Sequence, residues 1–144
     1  MTSDARGFSL IEILVVVLII SILAGVVGVS VYRHPAAAKK TAARMMIQNF
    51  ESALKIYKVE QDRFPTQEQG LEALCVKPSA PPVPENYPPE GYLDSRKLPL
   101  DPWGKPYVYL APGRNQAPYE VICYGADGEE GGEGDDADLS SDDI

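Results

Sequence analysis

The chain is apolar from residue 8 to residue 32, FSLIEILVVVLIISILAGVVGVSVY, and carries one charge there, Glu12. As a helix, this stretch would be about 37 Å long at about 1.5 Å per residue. That length exceeds the hydrocarbon core of a bilayer, which is about 30 Å thick. We therefore predict a membrane-spanning helix over residues 8–32.

A secretory signal peptide is the competing interpretation of this stretch. Ser21 to Gly25 imitates a small-x-small cleavage site, and such a site normally ends a shorter apolar run behind a basic head. Here the apolar run continues past Gly25, and Arg6 is the only base ahead of it. The pattern therefore favours a helix that stays in the mature protein.

Glu12 is the unusual residue of the helix. An ionisable group inside an apolar span costs a few kcal/mol unless it finds a partner, and such residues are often functional. The simpler interpretation is that the Glu12 side chain extends to the membrane interface, which lies about one turn away. The residues alone leave both interpretations open.

The string GFSLIEIL, Gly7 to Leu14, resembles the class III signal of type IV pilins and pseudopilins. The resemblance implies that a prepilin peptidase cuts between Gly7 and Phe8 and methylates the new terminus at Phe8. Residues 1–7 would then be a leader peptide. Glu12 would neutralise the terminal amine of a neighbouring subunit during assembly, which supplies the partner that a buried carboxylate requires.

A second, amphipathic helix is predicted over Ala36 to Asp62, just after Pro35. Its apolar residues recur every three or four positions, which gives one buried stripe: Ala43, Ile47, Phe50, Leu54 and Tyr57. Phe64-Pro65-Thr66 ends this helix, because proline disfavours helical geometry at the residue before it. Thr66 then caps a predicted short helix that runs through Leu74.

The rest of the head is predicted to be loop and sheet. Six prolines between Lys77 and Pro89 indicate an extended loop. Residues 107–110 and 119–124 are aromatic and β-branched runs separated by residues 112–115, which is typical of a hairpin. We therefore predict an α+β fold, in which a long N-terminal helix packs on a small antiparallel sheet.

The head, residues 33–144, also resembles one family in its running signature. The strings RFPT at residues 63–66, QGLEAL at 69–74 and DPWGKPY at 101–107 are similar, in this order, to those of the major pseudopilins of bacterial type II secretion systems, the G-type subunits. The surface type IV pilin shares only the first segment and usually carries a C-terminal disulfide loop. It is the alternative.

The acidity of the chain is confined to its tail. Nine carboxylates and no base follow from Asp127 onward, so the rest of the chain is near neutrality although the net charge is −8. No basic stripe with interleaved aromatics occurs, so nucleic-acid binding is not expected. The five glycines of residues 125–134 allow tight turns, and clustered carboxylates suit Ca²⁺ better than zinc or copper. A solvated, disordered tail fits the composition equally well.

The resemblance to major pseudopilins favours the metal over the disordered tail. It implies a loop over residues 125–139 that binds one Ca²⁺. The implied ligands are the side chains of Asp127, Asp135 and Asp136 and the backbone carbonyls of Tyr124 and Leu139.

Cys75 and Cys123 are far apart in sequence and match no metal spacing. A bridge between them is a hypothesis that depends on a periplasmic location, where disulfides persist. We find no nucleophile elbow, phosphate loop or zinc pattern, so an enzyme is not predicted.

The resemblance implies a single-pass inner-membrane protein with its head in the periplasm, embedded in the membrane before assembly. It would polymerise with itself into a periplasmic filament that drives export of folded proteins across the outer membrane. Its further partners would be the prepilin peptidase, the minor pseudopilins and the inner-membrane assembly platform.

Overall fold

A computed structural model of the chain describes residues 9–31 and 34–144. The chain divides into two compact units, Met1–Ala37 and Ala38–Ile144. The first contains helix α1, Leu10–Val31, and the second contains most of helix α2, His34–Gln61, and the head.

Ser9 and Glu12 cap the start of helix α1 through two reciprocal hydrogen bonds. Ser9 precedes the helix, its carbonyl oxygen accepts from the N–H of Glu12 at 3.0 Å, and its N–H donates to Oε2 of Glu12 at 3.0 Å. A Glu three residues into a helix that reaches back to the cap residue in this way satisfies one of the donors that a helix start leaves open.

Within residues 9–31 and 34–144, no helix is both long enough and apolar enough to cross a membrane. The predicted span over residues 8–32 begins and ends outside the described residues and stays a prediction.

Helix α2 confirms the amphipathic helix that the sequence predicts. Pro35 lies in its first turn, where a missing N–H costs nothing. The helix ends at Gln61 because Asp62 adopts a left-handed conformation, with φ at 58°, and the carbonyl of Asp62 accepts from Nζ of Lys58 at 2.7 Å. All five residues of the predicted stripe are fully buried, at 0% exposure: Ala43, Ile47, Phe50, Leu54 and Tyr57.

The predicted short helix through Leu74 is shorter than expected. Thr66 and Gln69 form the capping contacts, since Oγ1 of Thr66 accepts from the N–H of Gln69 at 3.2 Å and Oε1 of Gln69 accepts from the N–H of Thr66 at 3.1 Å. However, only Leu71–Leu74 is helical, as one 3-10 turn. Gly70 breaks the segment because its φ is 60°, outside the helical region.

The Pro-rich segment is an irregular loop, as predicted, and buried amides hold it. The Nε2 of Gln69 donates to the carbonyls of Ala80 at 2.8 Å and Pro82 at 3.0 Å. The Nε2 of Gln61 donates to the carbonyl of Asn86 at 2.7 Å. Because both glutamines are buried, these contacts fix the loop against the end of α2.

The sheet has three antiparallel strands in the order β1-β2-β3. Strands β1, Val108–Leu110, and β2, Glu120–Cys123, form the predicted hairpin, and Tyr109 pairs with Val121. Strand β3, Leu139–Ser140, adds to the other edge of β2, so that Leu139 pairs with Cys123. All four residues of β2 are buried, which makes it the central element of the head.

Helix α2 and the sheet share one hydrophobic core. Aromatic pairs join its parts: Phe50 meets Tyr107 edge to face with ring centres 5.1 Å apart, and Phe64 lies 4.7 Å from Tyr119. Such pairs contribute beyond the area they bury. The α+β fold predicted from the sequence is therefore confirmed, with a long helix packed on a small antiparallel sheet.

The core predicts a contrast between two neighbouring residues of α2. Leu54 is fully buried and Ile56 is 52% exposed, so Leu54→Ala should lower the free energy of unfolding by about 2–5 kcal/mol and Ile56→Ala by less than about 0.5 kcal/mol. The measurement is a denaturant titration of the full-length chain in detergent micelles, followed by the fluorescence of Trp103. Equal losses in the two variants would contradict the assignment of the core face.

Candidate functional site

The first candidate site is the start of α1. Gly7 and Phe8, the predicted cleavage site, lie outside the described residues. Glu12 is exposed, and its carboxylate accepts from the N–H of Ser9. The large apolar side chains from Leu10 to Leu23 are between 45% and 82% exposed. This apolar surface surrounds the helix and therefore needs cover that its own side chains do not supply.

The second candidate site is the acidic loop, residues 125–139, which connects β2 to β3. Because Cys123 pairs with Leu139, the sheet brings the two ends of the loop together. Inside the loop, the N–H of Gly128 donates to the carbonyl of Tyr124 at 3.0 Å, and the N–H of Ala126 donates to the carbonyl of Asp135 at 3.0 Å. The loop is thus closed at its base by the backbone.

Glycine is required where the loop folds onto itself. Gly125 has φ at 61°, and a Cβ there would lie 2.6 Å from the carbonyl oxygen of Asp136. Gly132 has φ at 88°, and its Cβ would lie 2.8 Å from the same oxygen. The glycines therefore allow two parts of the backbone to approach the carbonyl of Asp136 from either side.

The carboxylates of the loop are held in different ways. Oδ1 of Asp127 accepts from the N–H of Glu129 at 3.1 Å. Asp135 and Asp136 lie in a 3-10 turn, Gly134–Asp136, that sequence reasoning did not anticipate. Oδ2 of Asp138 accepts from the N–H of Gly131 at 3.0 Å, whereas Oδ1 of Asp138 is buried with no hydrogen-bond partner.

Asp138 is an acidic residue of the loop outside the predicted ligand set, and its side chain is the one with a buried, unpartnered oxygen. A buried oxygen without a partner costs free energy, and a bound cation is one way to offset that cost. The alternation of Asp136, Ala137 and Asp138 in the sequence was the available signal. In the part of the chain that the structure describes, no three His, Cys, Asp or Glu side chains converge as a metal-binding group.

Three basic side chains from three separate elements reach the acidic loop. The Nζ of Lys105 donates to the carbonyl of Ala126 at 3.0 Å. The Nζ of Lys40, on α2, donates to the carbonyl of Gly134. The NH1 of Arg114, in the β1–β2 connection, lies 2.8 Å from Oε1 of Glu130.

Arg114 also forms an ion pair in which its partner, Glu120, is buried and Arg114 itself is 41% exposed. Its NH2 donates to Oε1 of Glu120 at 2.8 Å and its backbone N–H donates to Oε2 of Glu120 at 3.0 Å. Ser140 of β3 donates its Oγ–H to Oε1 of Glu120 at 2.7 Å. Glu120 is 2% exposed, and the hydrogen bonds from Arg114 lower the pKa of its carboxyl to about 2.

The structure leaves the two cysteines of the hypothesised disulfide unbridged. Cys75 and Cys123 are both free and buried. The Sγ of Cys123 donates instead to Oδ2 of Asp101 at 3.3 Å, and burial, with Asp101 nearby, raises the pKa of this thiol to about 12. Both thiols therefore behave as small buried side chains.

The DPWGK string forms a turn around a buried carboxylate. Oδ1 of Asp101 accepts from the N–H groups of Trp103 at 2.9 Å and Lys105 at 2.8 Å. The N–H of Asp101 donates to the carbonyl of Lys105 at 2.7 Å. Trp103 is only partly buried, against the core, and Asp101 is the residue that orders the turn.

Two stretches of the chain match known family models. Residues 2–28 match the prokaryotic N-terminal methylation motif, and with the long helix and small sheet this defines a pilin-like subunit. Residues 30–142 match the type II secretion system (T2SS) protein G family. The chain belongs to this family.

Two relatives show how closely the chain follows the family. It is 48% identical over 135 residues to the type II secretion system core protein G of Pseudomonas aeruginosa. This alignment covers 94% of this chain and 93% of the relative. It is 42% identical over 134 residues to the core protein G of Escherichia coli K12, covering 93% and 90%.

A solved structure agrees with these relatives. The crystal structure of the major pseudopilin from the type 2 secretion system of enterohaemorrhagic Escherichia coli matches with a TM-score of 0.64 and 36% identity. The match covers 75% of this chain and 90% of that one. The chain is thus a structural pseudopilin and not an enzyme, and the type IV pilin alternative is set aside.

The Glu120 ion pair predicts a specific loss of stability in acid. Because the folded pKa of about 2 lies below the ordinary value of 4.5, the pair contributes fully above pH 4.5 and is lost as the pH falls toward 2. Because Arg114 is 41% exposed, solvent screens part of the pair. Glu120→Gln should lower the free energy of unfolding by about 1–2 kcal/mol at pH 7 and flatten its pH dependence in that window.

The matched control is Glu68→Gln, which changes an exposed glutamate. Denaturant titrations at several pH values between 2 and 7 compare the three proteins. A Glu120→Gln variant as stable as the unchanged chain at pH 7 would contradict the role of the pair.

Proposed function

We propose that this chain is the major structural subunit of a periplasmic pseudopilus. A prepilin peptidase cuts it between Gly7 and Phe8 and methylates Phe8, and the mature subunits polymerise to drive export of folded proteins across the outer membrane. The observation that carries the proposal is the match of residues 30–142 to protein G of the type II secretion system, together with the methylation motif at residues 2–28.

The exposed apolar surface of α1, which surrounds the helix, supports membrane insertion before assembly and helix packing afterwards. Side chains that are 45–82% exposed from Leu10 to Leu23 are stable only in lipid or against other apolar helices. Identical subunits that meet through head-to-tail contacts without closing a ring form a filament. Before assembly, the subunits are therefore held in the bilayer by α1. After assembly, the α1 helices pack together as the core of the filament.

Glu12 is the charged residue of α1 and supports the assembly role. Its hydrogen bond from the N–H of Ser9 supplies a donor but no positive charge. Cleavage after Gly7 would create an ammonium group at Phe8, and the Phe8 amine of a neighbouring subunit would neutralise Glu12 inside the bundle. The same proposal places the head in the periplasm, with the minor pseudopilins and the inner-membrane assembly platform as further partners.

We further propose that the acidic loop binds one Ca²⁺. The donors are oxygen atoms, which suit a hard cation, and the buried, unpartnered Oδ1 of Asp138 fits such an ion. The proposed ligands are the side chains of Asp127, Asp135 and Asp136 and the carbonyls of Tyr124 and Leu139, and we add Asp138 to this set. When bound, Ca²⁺ would offset the repulsion among the carboxylates and order the loop.

The processing proposal predicts the mass of the mature protein. In cells that contain a prepilin peptidase, the chain should lose residues 1–7 and gain one methyl group, because Phe8 becomes the new terminus. Gly7→Ala should stay uncut, whereas Gly25→Leu, which removes the small residue of the signal-peptide-like site, should be processed normally. Intact-mass spectrometry distinguishes the three, and a chain cut near Gly25 would exclude the filament mechanism.

The calcium proposal predicts a metal-dependent melting temperature. Adding about 5 mM Ca²⁺ to the EDTA-treated full-length chain in detergent micelles should raise the Tm by about 5 °C or more, because a ligand that binds only the folded state stabilises it. Asp127→Asn and Asp138→Asn should reduce that shift, and Asp94→Asn, which alters an exposed carboxylate outside the loop, should not. An unchanged Tm in the parent chain would overturn the proposal.

A further inference from the structure

The DPWGK turn places a lysine at a fixed position beside the acidic loop. The backbone of Lys105 is held on both sides, because its N–H donates to Oδ1 of Asp101 and its carbonyl accepts from the N–H of Asp101. Asp101 is 6% exposed, and its second oxygen accepts from Sγ of Cys123 in β2. The start of the Lys105 side chain is therefore fixed relative to the sheet.

The other end of the Lys105 side chain lies on the loop. Its Nζ donates to the carbonyl of Ala126 at 3.0 Å. Its stem packs against Gly128, where an added Cβ would collide with Cδ, Cε and Nζ of the lysine. The contact thus combines a charge-assisted hydrogen bond with a backbone packed directly on the aliphatic stem.

The loop has a strong electrostatic reason to leave the head. Seven carboxylates occur between Asp127 and Asp138, with no base among them, and like charges this close repel one another. The three basic side chains contact the loop at intervals along its length. Lys105 acts at Ala126, Arg114 at Glu130 and Lys40 at Gly134.

These three contacts differ in how firmly they are anchored. Lys40 donates to an exposed carbonyl, and the Arg114–Glu130 pair joins side chains that are 41% and 67% exposed. Exposed pairs of this kind contribute little, because solvent screens them. Lys105 is half-buried, its backbone is fixed, and its stem is in contact with the loop. It is therefore the contact expected to matter most.

We propose that Lys105 is a positioning residue that holds the acidic loop docked on the head when no metal is bound, with Lys40 and Arg114 in supporting roles. The DPWGK turn is then the platform for this lysine as well as a connection to β1. The inference rests on the loop of the proposed function but not on its metal.

The test compares hydrogen exchange of the loop in two charge-removing variants. Lys105→Met keeps the stem that packs on Gly128 and removes only the ammonium, and Lys77→Met removes an exposed lysine of the Pro-rich segment. The full-length chain is studied in detergent micelles with EDTA, and exchange of residues 126–136 is followed by peptide mass spectrometry. Exchange of β2, Glu120–Cys123, reports whether the head stays folded.

We expect Lys105→Met to accelerate exchange of residues 126–136 by about tenfold, as loss of one charge-assisted hydrogen bond implies, and Lys77→Met to leave it unchanged. Loop exchange in Lys105→Met at the rate of the parent chain would overturn the proposal. If Lys105→Met also accelerates exchange of β2, Lys105→Arg decides: a protected loop supports the role of the charge, and an exposed loop overturns it.

A second arm separates this inference from the calcium proposal. Ca²⁺ is added to the parent chain, and slower exchange of residues 126–136 supports the metal site. Unchanged exchange on adding Ca²⁺ overturns the metal site alone, since the comparison in EDTA decides the role of Lys105 independently.

Discussion

The buried stripe of α2 is the constraint on which the head depends. Strands of three, four and two residues are too short to be stable as an isolated sheet, so they need a second apolar surface. Ile47, Phe50 and Leu54 supply it, and β2 is buried along its whole length in the same core. Because β3 pairs only with β2 in that sheet, the closure of the acidic loop depends in turn on the same helix.

Buried polar side chains determine the irregular half of the head. Between the end of α2 and the start of β1 the structure describes only turns, bends and one 3-10 helix. Gln61 and Gln69 satisfy carbonyls of the Pro-rich segment, and Asp101 satisfies the N–H groups of the DPWGK turn. Backbone that lacks a helix or strand must find such partners when it is buried. Apolar residues at these positions would therefore leave the backbone groups of the loops without hydrogen-bond partners.

Sequence periodicity predicted the parts of this fold that repeat, and missed those fixed by single contacts. The α2 stripe from Ala43 to Tyr57 and the β1–β2 hairpin follow from spacing alone. The 3-10 turn at Leu71–Leu74 depends on one glycine, Gly70, and β3 has only two residues, which is too few for a period. Asp138 and Lys105 were not singled out because their importance shows only in the folded chain: Oδ1 of Asp138 is buried without a partner, and Nζ of Lys105 reaches the carbonyl of Ala126, 21 residues away in sequence.

In the filament proposed above, the register of neighbouring α1 helices needs a polar contact to fix it. The hydrophobic effect is non-directional, so burial of apolar surface alone fixes the register of identical α1 helices only weakly. One carboxylate in such a surface removes that freedom, because only one axial position brings it to a compensating charge, in the way that a single buried polar residue fixes the register of a coiled coil. Glu12 lies in the first turn of the helix, where the Ser9 N–H already orients its carboxylate. The register of the helices would then set how far apart the heads and their loops stand.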